Sequence, residues 1–577
     1  VKGALTGLLA LAALAGAADT PFRAPARAAE FEGVAATARY IALKDGTRIA
    51  IDLLLPKDLA PGARVPAILK ISRLGRASVD GRVSGEDRFW AEHGYARILV
   101  DERGTGASFG TSRLGAATIS DLAEIVDWIT AQPWSNGRVG ASGVSVEGTA
   151  SELLAATGRP AVGAVAPLFS DFDYYADVLR PGGVLDRWVT RTFQAFTAGA
   201  DAGGAVKRVD SDTDGALARA AVAEHRSNLD IDAEAREAEF ADDRLAAAGG
   251  SFESLSASSA AGRLARGRTP ILAYVSWLDA GTVQGALRRF RDLPNPQTVI
   301  IGAWSHAGDH GADPFSTPGA PVTPSILQRR AELLQFFDAR LKTGARPPPP
   351  ERIIWYYTLG ENRWRSTPRW PPAGIGQTSF HLAGESLLAG GGHAATRALR
   401  LVQTDTGLLN RWHTQVGGQP VDYHPVIEAM QSLPGFTTAP LDRDTEITGQ
   451  PVLRLSLTRS QAGDPAVFAY LAAVDPQGHA IYLTEGQLRL ASRKPAAGPA
   501  TGHSFRRSDA APPPIGRSFE ADVTLLPTSV LVRKGWRLRL LLASGDRSTF
   551  DTAGDFDATV SSESTLILPT RKPARWS

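Results

Sequence analysis

The sequence predicts an α/β domain interrupted by a helical insertion and followed by a C-terminal β-sandwich of jelly-roll type. Three observations lead there. From residue 30 to 172, and again from 267 to 345, apolar runs that read as strands alternate with helix-like segments, the pattern of a parallel sheet covered by helices. Between 173 and 266 the strand signal gives way to alanine-rich charged stretches such as "DGALARAAVAEH" and "AEAREAEFADDRLAAA", which suit a helical cap over an active site. The proline-rich "GARPPPPER" at 344–352 reads as a domain boundary, and short period-2 segments fill 346–577, among them "AVFAYLAAVD", "AIYLTEGQLRLAS" and "WRLRLLLAS".

Within the α/β part, "VPAILKI" (65–71), "ARILVDERG" (96–104), "RVGASGV" (138–144) and "AVGAVAPLFSDF" (161–172) are apolar runs that end in polar or small residues, as buried strands do. Leu122, Ile125, Val126 and Ile129 share one face of a helix over 118–132, with Thr118 and Asp121 as a capping pair. "TPILAYVSWLDAG" (269–281) and "TVIIGAWSHAG" (298–308) resume the strands after the insertion, and an amphipathic helix runs from Ser325 to Lys342.

The 577 residues exceed one ordinary core, so more than one domain is required. With 21% charged residues and a formal net charge of +2, the chain lacks the basic concentration of a nucleic-acid binder. The absence of cysteine excludes disulfides, thiolate metal sites and a cysteine nucleophile. The ten histidines form no H-E-x-x-H pair, and neither a metal nor an organic cofactor is indicated. Lys2, the apolar "ALTGLLALAALAGAA" and the small residues after it have the order of a signal peptide over 1–29, with cleavage near Ala18 or Ala28. The apolar core is too short to span a membrane, and the expected location is periplasmic or secreted.

A serine hydroxyl becomes a useful nucleophile when a histidine removes its proton and a carboxylate fixes that histidine's tautomer. In α/β-hydrolases the three occur in the order Ser, Asp, His, each just after a strand. Ser145, Asp279 and His306 stand in that order after "RVGASGV", "ILAYVSWL" and "TVIIGAWS". A serine at a helix start more often caps it, and an aspartate after a strand more often makes a turn; three such positions in order favour catalysis. Asp309 and His310 lie further into the loop after His306 and are read as loop residues. Asp171 and Asp173 also follow a strand, where lining the pocket or capping a helix suits them. Asp101 and Arg103 in "DERGTG" are expected to structure the loop beneath the serine.

Stretches along most of the chain carry a resemblance. They include "VDERGTGASFG" (100–110), "QPWSNGRVGASGVSVEGTA" (132–150), "VLRPGGVLDRW" (178–188), "SWLDAG" (276–281), "IGAWSHAG" (301–308), "LDRDTEITGQPVLRLSL" (441–457) and "LLPTSVLVRKGWRLRLLLAS" (525–544). In these the chain resembles the serine hydrolase family that contains cocaine esterase, α-amino-acid ester hydrolase and the X-prolyl dipeptidyl aminopeptidases. The resemblance implies an α/β-hydrolase domain with an inserted cap and a jelly roll. It makes Ser145 the nucleophile, Asp279 the orienting acid and His306 the general base. The family's G-x-S-[Tyr]-x-G spacing also accounts for Gly148, which is one position late for the common G-x-S-x-G elbow.

Two positions depart from the family. The tyrosine whose hydroxyl helps bind the oxyanion is replaced by Leu74, and Val146 stands after the serine, where its backbone N–H remains as a donor. Ser72 and Arg73 are candidate substitutes for the lost hydroxyl. Glu147, Asp171, Asp173, Tyr174, Tyr175, Asp177 and Trp188 are candidate pocket residues, with helix capping and packing as their plain alternatives. The expected partner is a small-molecule acyl ester or amide. The expected activity is hydrolysis through an acyl-enzyme. An X-prolyl dipeptidyl aminopeptidase or amino-ester hydrolase, using Asp171, Asp173 and Asp177 to hold an ammonium, is one alternative. A weakly active or noncatalytic protein that binds carbohydrate or surfaces is the other.

Overall fold

The structure is a computed structural model that describes residues 20–76, 82–203, 206–344, 349, 351–390, 396–496 and 502–571. A ten-stranded sheet forms the first half, built from β1 (Val34–Ala42), β2 (Arg48–Pro56), β3 (Val65–Ser72), β4 (Ala96–Asp101), β5 (Ser135–Val144), β6 (Val162–Leu168), β7 (Ile271–Ser276), β8 (Gln297–Gly302), β9 (Arg352–Thr358) and β10 (Arg363–Thr367). Their spatial order is β1-β2-β4-β3-β5-β6-β7-β8-β9-β10. Pairing is parallel from β4 through β9 and antiparallel at both edges. β4 and β5 lie on opposite sides of β3, so the chain direction across the sheet reverses there and opens a crevice beyond the strands' carboxyl ends.

Helices α1 (Gly85–Glu92), α2 (Ile119–Thr130) and α3 (Val146–Ala155) join or follow these strands. The expected face of α2 is buried through Leu122, Ile125, Val126 and Ile129. The expected Thr118–Asp121 cap is absent: the Thr118 hydroxyl donates to Gly115 O at 2.8 Å, and Asp121 takes both arms of Arg103 at 2.6 and 2.8 Å. That pairing fastens the "DERGTG" loop to α2. In the same loop Asp101 accepts from Arg76 Nη1 at 2.5 Å and from Ala107 N–H at 2.9 Å, and a Cβ on Gly106 would lie 2.3 Å from its carboxyl.

The cap carries α4 (Arg187–Asp201), α5 (Ala216–Glu224), α6 (Ile231–Glu237), the single turn α7 (Phe252–Leu255) and α8 (Ala261–Gly267). Its own core gathers Tyr175, Leu179, Leu185, Ile231 and Phe252. Ion pairs tie it to the sheet: Arg73 grips Asp201 at 2.8 and 2.7 Å, and Lys207 meets Asp52 at 2.6 Å. After the cap, α9 (Thr282–Asp292) joins β7 to β8, and α10 (Ile326–Leu341) follows with a Ser325/Gln328 capping box. α10 lies close over the sheet because β5 and β6 offer Gly140 and Gly163, where a Cβ would come within 2.8 Å of Leu341.

The second half is an all-β sandwich of mostly antiparallel strands, including Val452–Arg459, Ala466–Val474, Ala480–Arg489, Phe519–Thr524 and Arg537–Ala543. The proline-rich boundary needs correction in one respect. β9 and β10 lie beyond it yet complete the first sheet, because β9 pairs along β8 from Gln297↔Arg352 to Ile301↔Tyr356. The two halves also share one core: Trp277, Leu278, Val283 and Leu287 pack in the same cluster as Leu455, Phe468 and Leu540. The first nineteen residues of the proposed signal peptide lie outside the described residues. Phe22 packs on Tyr274, Trp304 and Trp364 with ring centroids 6.0, 6.4 and 5.6 Å away. No helix among the described residues is long and apolar enough to cross a membrane.

Candidate active site

Ser145 sits where β5 breaks into α3, with φ 61° and ψ −129°. Such a backbone costs a non-glycine residue about 1–3 kcal/mol and persists only where its surroundings hold it. The Ser145 N–H donates to Leu168 O at 2.9 Å, and its carbonyl accepts from Thr149 N–H at 3.0 Å. The turn is tight enough to require glycine on both sides. A Cβ on Gly143 would lie 2.4 Å from Glu147 Cβ, and one on Gly148 would lie 2.9 Å from both Gly143 O and Leu168 O. The late glycine is therefore the residue that crosses β5 and β6, while position 147 has room for a side chain.

Asp279 and His306 follow β7 and β8, and each is succeeded by an alanine at positive φ, Ala280 at 39° and Ala307 at 65°. Both carboxylate oxygens of Asp279 lie 3.0 Å from His306 Nδ1. Asp279 is fully buried and also accepts from the Thr282 hydroxyl at 3.2 Å and Gln415 Nε2 at 3.1 Å. A carboxylate facing Nδ1 places the ring proton there and leaves Nε2 as the basic nitrogen. His306 is 5% exposed, and its Nε2 is buried without a hydrogen-bond partner. The Ser145–His306 hydrogen bond is thus not formed in this structure. The end of β6 contacts both residues: Leu168 O holds the Ser145 N–H, and the Phe169 ring packs edge-on against the imidazole at 6.1 Å.

Ser145 and Val146 open into a cavity beneath the cap. Its walls are largely apolar, with Leu114 and Leu153 from the sheet side, Val178, Val189 and Phe193 from the cap, and Val416 from the second half. Arg73, Glu102, Asp171 and Tyr174 are the ionisable groups that share it with Ser145, together with Arg113 near the rim.

The other candidate pocket residues lie elsewhere, each for a visible reason. Leu74 is 41% exposed and outside the cavity lining. Glu147 is half-buried beneath the elbow, where the Ser72 hydroxyl bonds its carboxyl and Lys70 lies nearby. Asp173 caps the turn through Tyr175 and Ala176 N–H at 3.0 and 3.1 Å. Asp173 and Asp177 are both neutralised by Arg288, each at 2.8 Å. The Tyr175 hydroxyl points away to Glu239 O at 2.6 Å. Trp188 stacks on His413, centroids 4.3 Å apart. His310 stays in its loop, its N–H and carbonyl both bonded to Ser305.

Sequence reasoning missed Glu102, Gln415 and Val416. Glu102 was hidden inside a loop motif, and residues 410–416 carry no periodicity that would point them at the site. Burial pushes the carboxyls of Asp171 and Glu102 up to about 7; Asp177 raises Asp171 further, while Arg73 opposes the rise at Glu102. Asp171 Oδ1 accepts from the Thr149 hydroxyl at 3.1 Å, while Oδ2 is buried with no partner.

The raised value has a stability consequence. Between the ordinary carboxyl range near 4 and about 7, the unfolded chain gives up the Asp171 proton while the folded chain keeps it. The contribution therefore opposes folding increasingly as pH rises through that window and is complete above it. Asp171→Asn should raise the melting temperature relative to the parent at pH 8 and not at pH 4. An unchanged difference between parent and variant across that range would contradict the burial reading.

Comparison with known proteins supplies the context for this geometry. Residues 45–308 match the family described as X-Pro dipeptidyl-peptidase (S15 family), and 347–566 match the X-Pro dipeptidyl-peptidase C-terminal non-catalytic domain. A Mycobacterium bovis protein named a serine esterase is 34% identical over 90% of this chain and 92% of its own length. The cocaine esterase of a Rhodococcus is 26% identical over 89% of this chain and 91% of its own. In fold, the chain is similar to an aminopeptidase from a Thaumarchaeota archaeon (TM-score 0.73, 18% identity, 96% and 99% covered). It is also similar to an α-amino acid ester hydrolase (TM-score 0.67, 19% identity, 96% and 99% covered). The strained serine elbow, the Asp279–His306 pair and the two-part fold thus belong to an enzyme: the chain is a member of the serine hydrolase family that includes the X-Pro dipeptidyl-peptidases (S15) and cocaine esterase.

Proposed function

We propose that the protein is an exported hydrolase that cleaves an acyl ester through a Ser145 acyl-enzyme. The observation that carries this reading is the Asp279–His306 pair, which fixes the proton on Nδ1 and leaves Nε2 without a hydrogen-bond partner. In the proposed reaction substrate binding brings Oγ to Nε2, since such bonds are often loose before substrate arrives. Oγ then attacks the acyl carbon as Nε2 takes its proton. The tetrahedral oxyanion collapses, the alcohol leaves with that proton, and water, activated by the same nitrogen, releases the acid.

The Val146 N–H at the start of α3 is the proposed oxyanion donor from the backbone. Of the two substitutes for the missing tyrosine, Ser72 is buried and its Oγ accepts from Leu74 N–H at 3.2 Å. Arg73 lines the cavity with Ser145, and its charge is balanced by Asp201, so it is the proposed second stabiliser. The apolar walls favour an acyl group with an apolar body. A second reading, in which that group bears an amine, is favoured by the unpaired Asp171 Oδ2 and by Glu102 in the same cavity. Asp173 and Asp177 drop out of that reading because Arg288 already neutralises them.

A fluorophosphonate probe tests the nucleophile. It should label the parent enzyme and not Ser145→Ala, and Arg73→Met should label more slowly, by about a hundredfold if one oxyanion stabiliser is lost. Equal labelling of parent and Ser145→Ala would overturn the assignment. Turnover of an aryl ester beside its α-amino counterpart separates the two acyl readings.

Export is proposed from the signal-peptide pattern, and of its two cleavage positions Ala18 keeps Phe22 on its aromatic seat while Ala28 removes it. Protein recovered outside the cytoplasm should have an N-terminal mass beginning near residue 19. A cytoplasmic chain that retains the apolar stretch would contradict export.

A further inference from the structure

Residues 410–416 come from beyond the proline-rich boundary, yet they touch both loops that carry Asp279 and His306. Arg411 holds the Ala280 carbonyl with Nε at 3.0 Å and Nη2 at 2.6 Å, and its own carbonyl accepts from Ala280 N–H at 3.0 Å. The Thr414 hydroxyl accepts from His306 N–H at 2.9 Å and donates to Gln419 O at 2.7 Å. Gln415 Nε2 donates to Asp279 Oδ1 at 3.1 Å, and Gln415 also lines the cavity that holds Ser145.

The segment is held firmly by the sandwich. Asn410 Oδ1 accepts from Trp412 and His413 N–H, its Nδ2 donates to the Thr406 and Thr549 hydroxyls, and Trp412 Nε1 donates to Glu485. Ala280 and Ala307 both have positive φ, a conformation non-glycine residues rarely adopt, and each sits beside a residue this segment grips.

We infer that Gln415 is a positioning residue of the hydrolytic reaction, supplied by the second half of the chain, which sets the orientation and effective charge of the Asp279 carboxylate. The inference rests on the Ser145–His306–Asp279 reading. A neutral amide that donates to Oδ1 withdraws negative potential from the carboxylate and keeps it facing Nδ1. Because the same side chain borders the cavity, a substrate that presses on it changes the carboxylate's surroundings.

The other charged groups near His306 are placed differently. Asp309 and His310 are exposed further along its own loop. Arg329 of α10 is committed to Gly308 O at 2.6 Å, and Arg411 is committed to Ala280 O. His413 stacks on Trp188. Asp177 offers only its backbone carbonyl to Gly281, because its carboxylate is paired with Arg288. Among the described residues whose side chains reach Asp279, Gln415 is the one that also borders the cavity.

The test uses the full chain, an activated aryl ester and the pH profile of kcat/KM for Gln415→Leu and Gln415→Glu. Gln415→Leu should lower kcat about tenfold, the scale of one lost hydrogen bond to a charged group. It should also move the acid limb up by about half a unit, because the less screened carboxylate favours the imidazolium. Gln415→Glu, nearly the same size with an added charge, should move the limb further in the same direction. Melting temperatures and the extent of fluorophosphonate labelling at Ser145 should stay near the parent's. Parental kcat and limb in both variants would overturn the proposal, as would a loss of activity with the limb unmoved, which is what a purely structural contact would give. Labelling that does not depend on Ser145 would instead defeat the underlying nucleophile assignment, whatever Gln415 does.

Discussion

The contact between the Asp279 carboxylate and His306 Nδ1 is the interaction on which the rest of the site depends. Its geometry is demanding, because both oxygens lie 3.0 Å from one nitrogen and the carboxylate is fully buried. A buried charge of this kind is tolerable only when its remaining lone pairs are satisfied. Thr282 and Gln415 do that, the first from α9 and the second from beyond the sheet altogether. The shared core that joins Trp277 and Leu278 to the sandwich has the same consequence at larger scale. The loops that carry Asp279 and His306 are packed between two halves of the molecule, and the sandwich is structurally part of the candidate site.

The elbow shows a second constraint at work. Ser145 is held at an unfavourable backbone conformation by a crossing so close that neither Gly143 nor Gly148 can carry a side chain. Strain at the serine is balanced by ordered bonds from Leu168 and Thr149, and the first turn of α3 then presents its N–H groups beside the hydroxyl. The cavity ahead of it is apolar with two carboxyls pushed toward neutrality, an environment in which a charge that develops during reaction is poorly screened by water.

Much of this was legible in the chain. Strand runs such as "VPAILKI" and "TVIIGAWS" are apolar throughout because their strands are buried on both faces, and that placed the sheet and its carboxyl ends. The order of Ser145, Asp279 and His306 followed from the same pattern. Two kinds of feature escaped. The end of the first sheet was set too early, since a proline-rich stretch marks a break in local structure and says nothing about whether the next strand returns to the same sheet, as β9 does. The pocket was only partly found, because a residue's chemistry does not reveal its partner. Asp173 and Asp177 looked available until Arg288 was seen to hold both, while Glu102 and Gln415 gave no signal at all.

The most direct measurement is the mass of the enzyme quenched during turnover of a slowly deacylating ester, followed by peptide mapping. An acyl-transfer enzyme built on this elbow should gain the acyl mass on the peptide that contains Ser145. An acyl group on any other residue, or full turnover with no adduct and no dependence on Ser145, would contradict it.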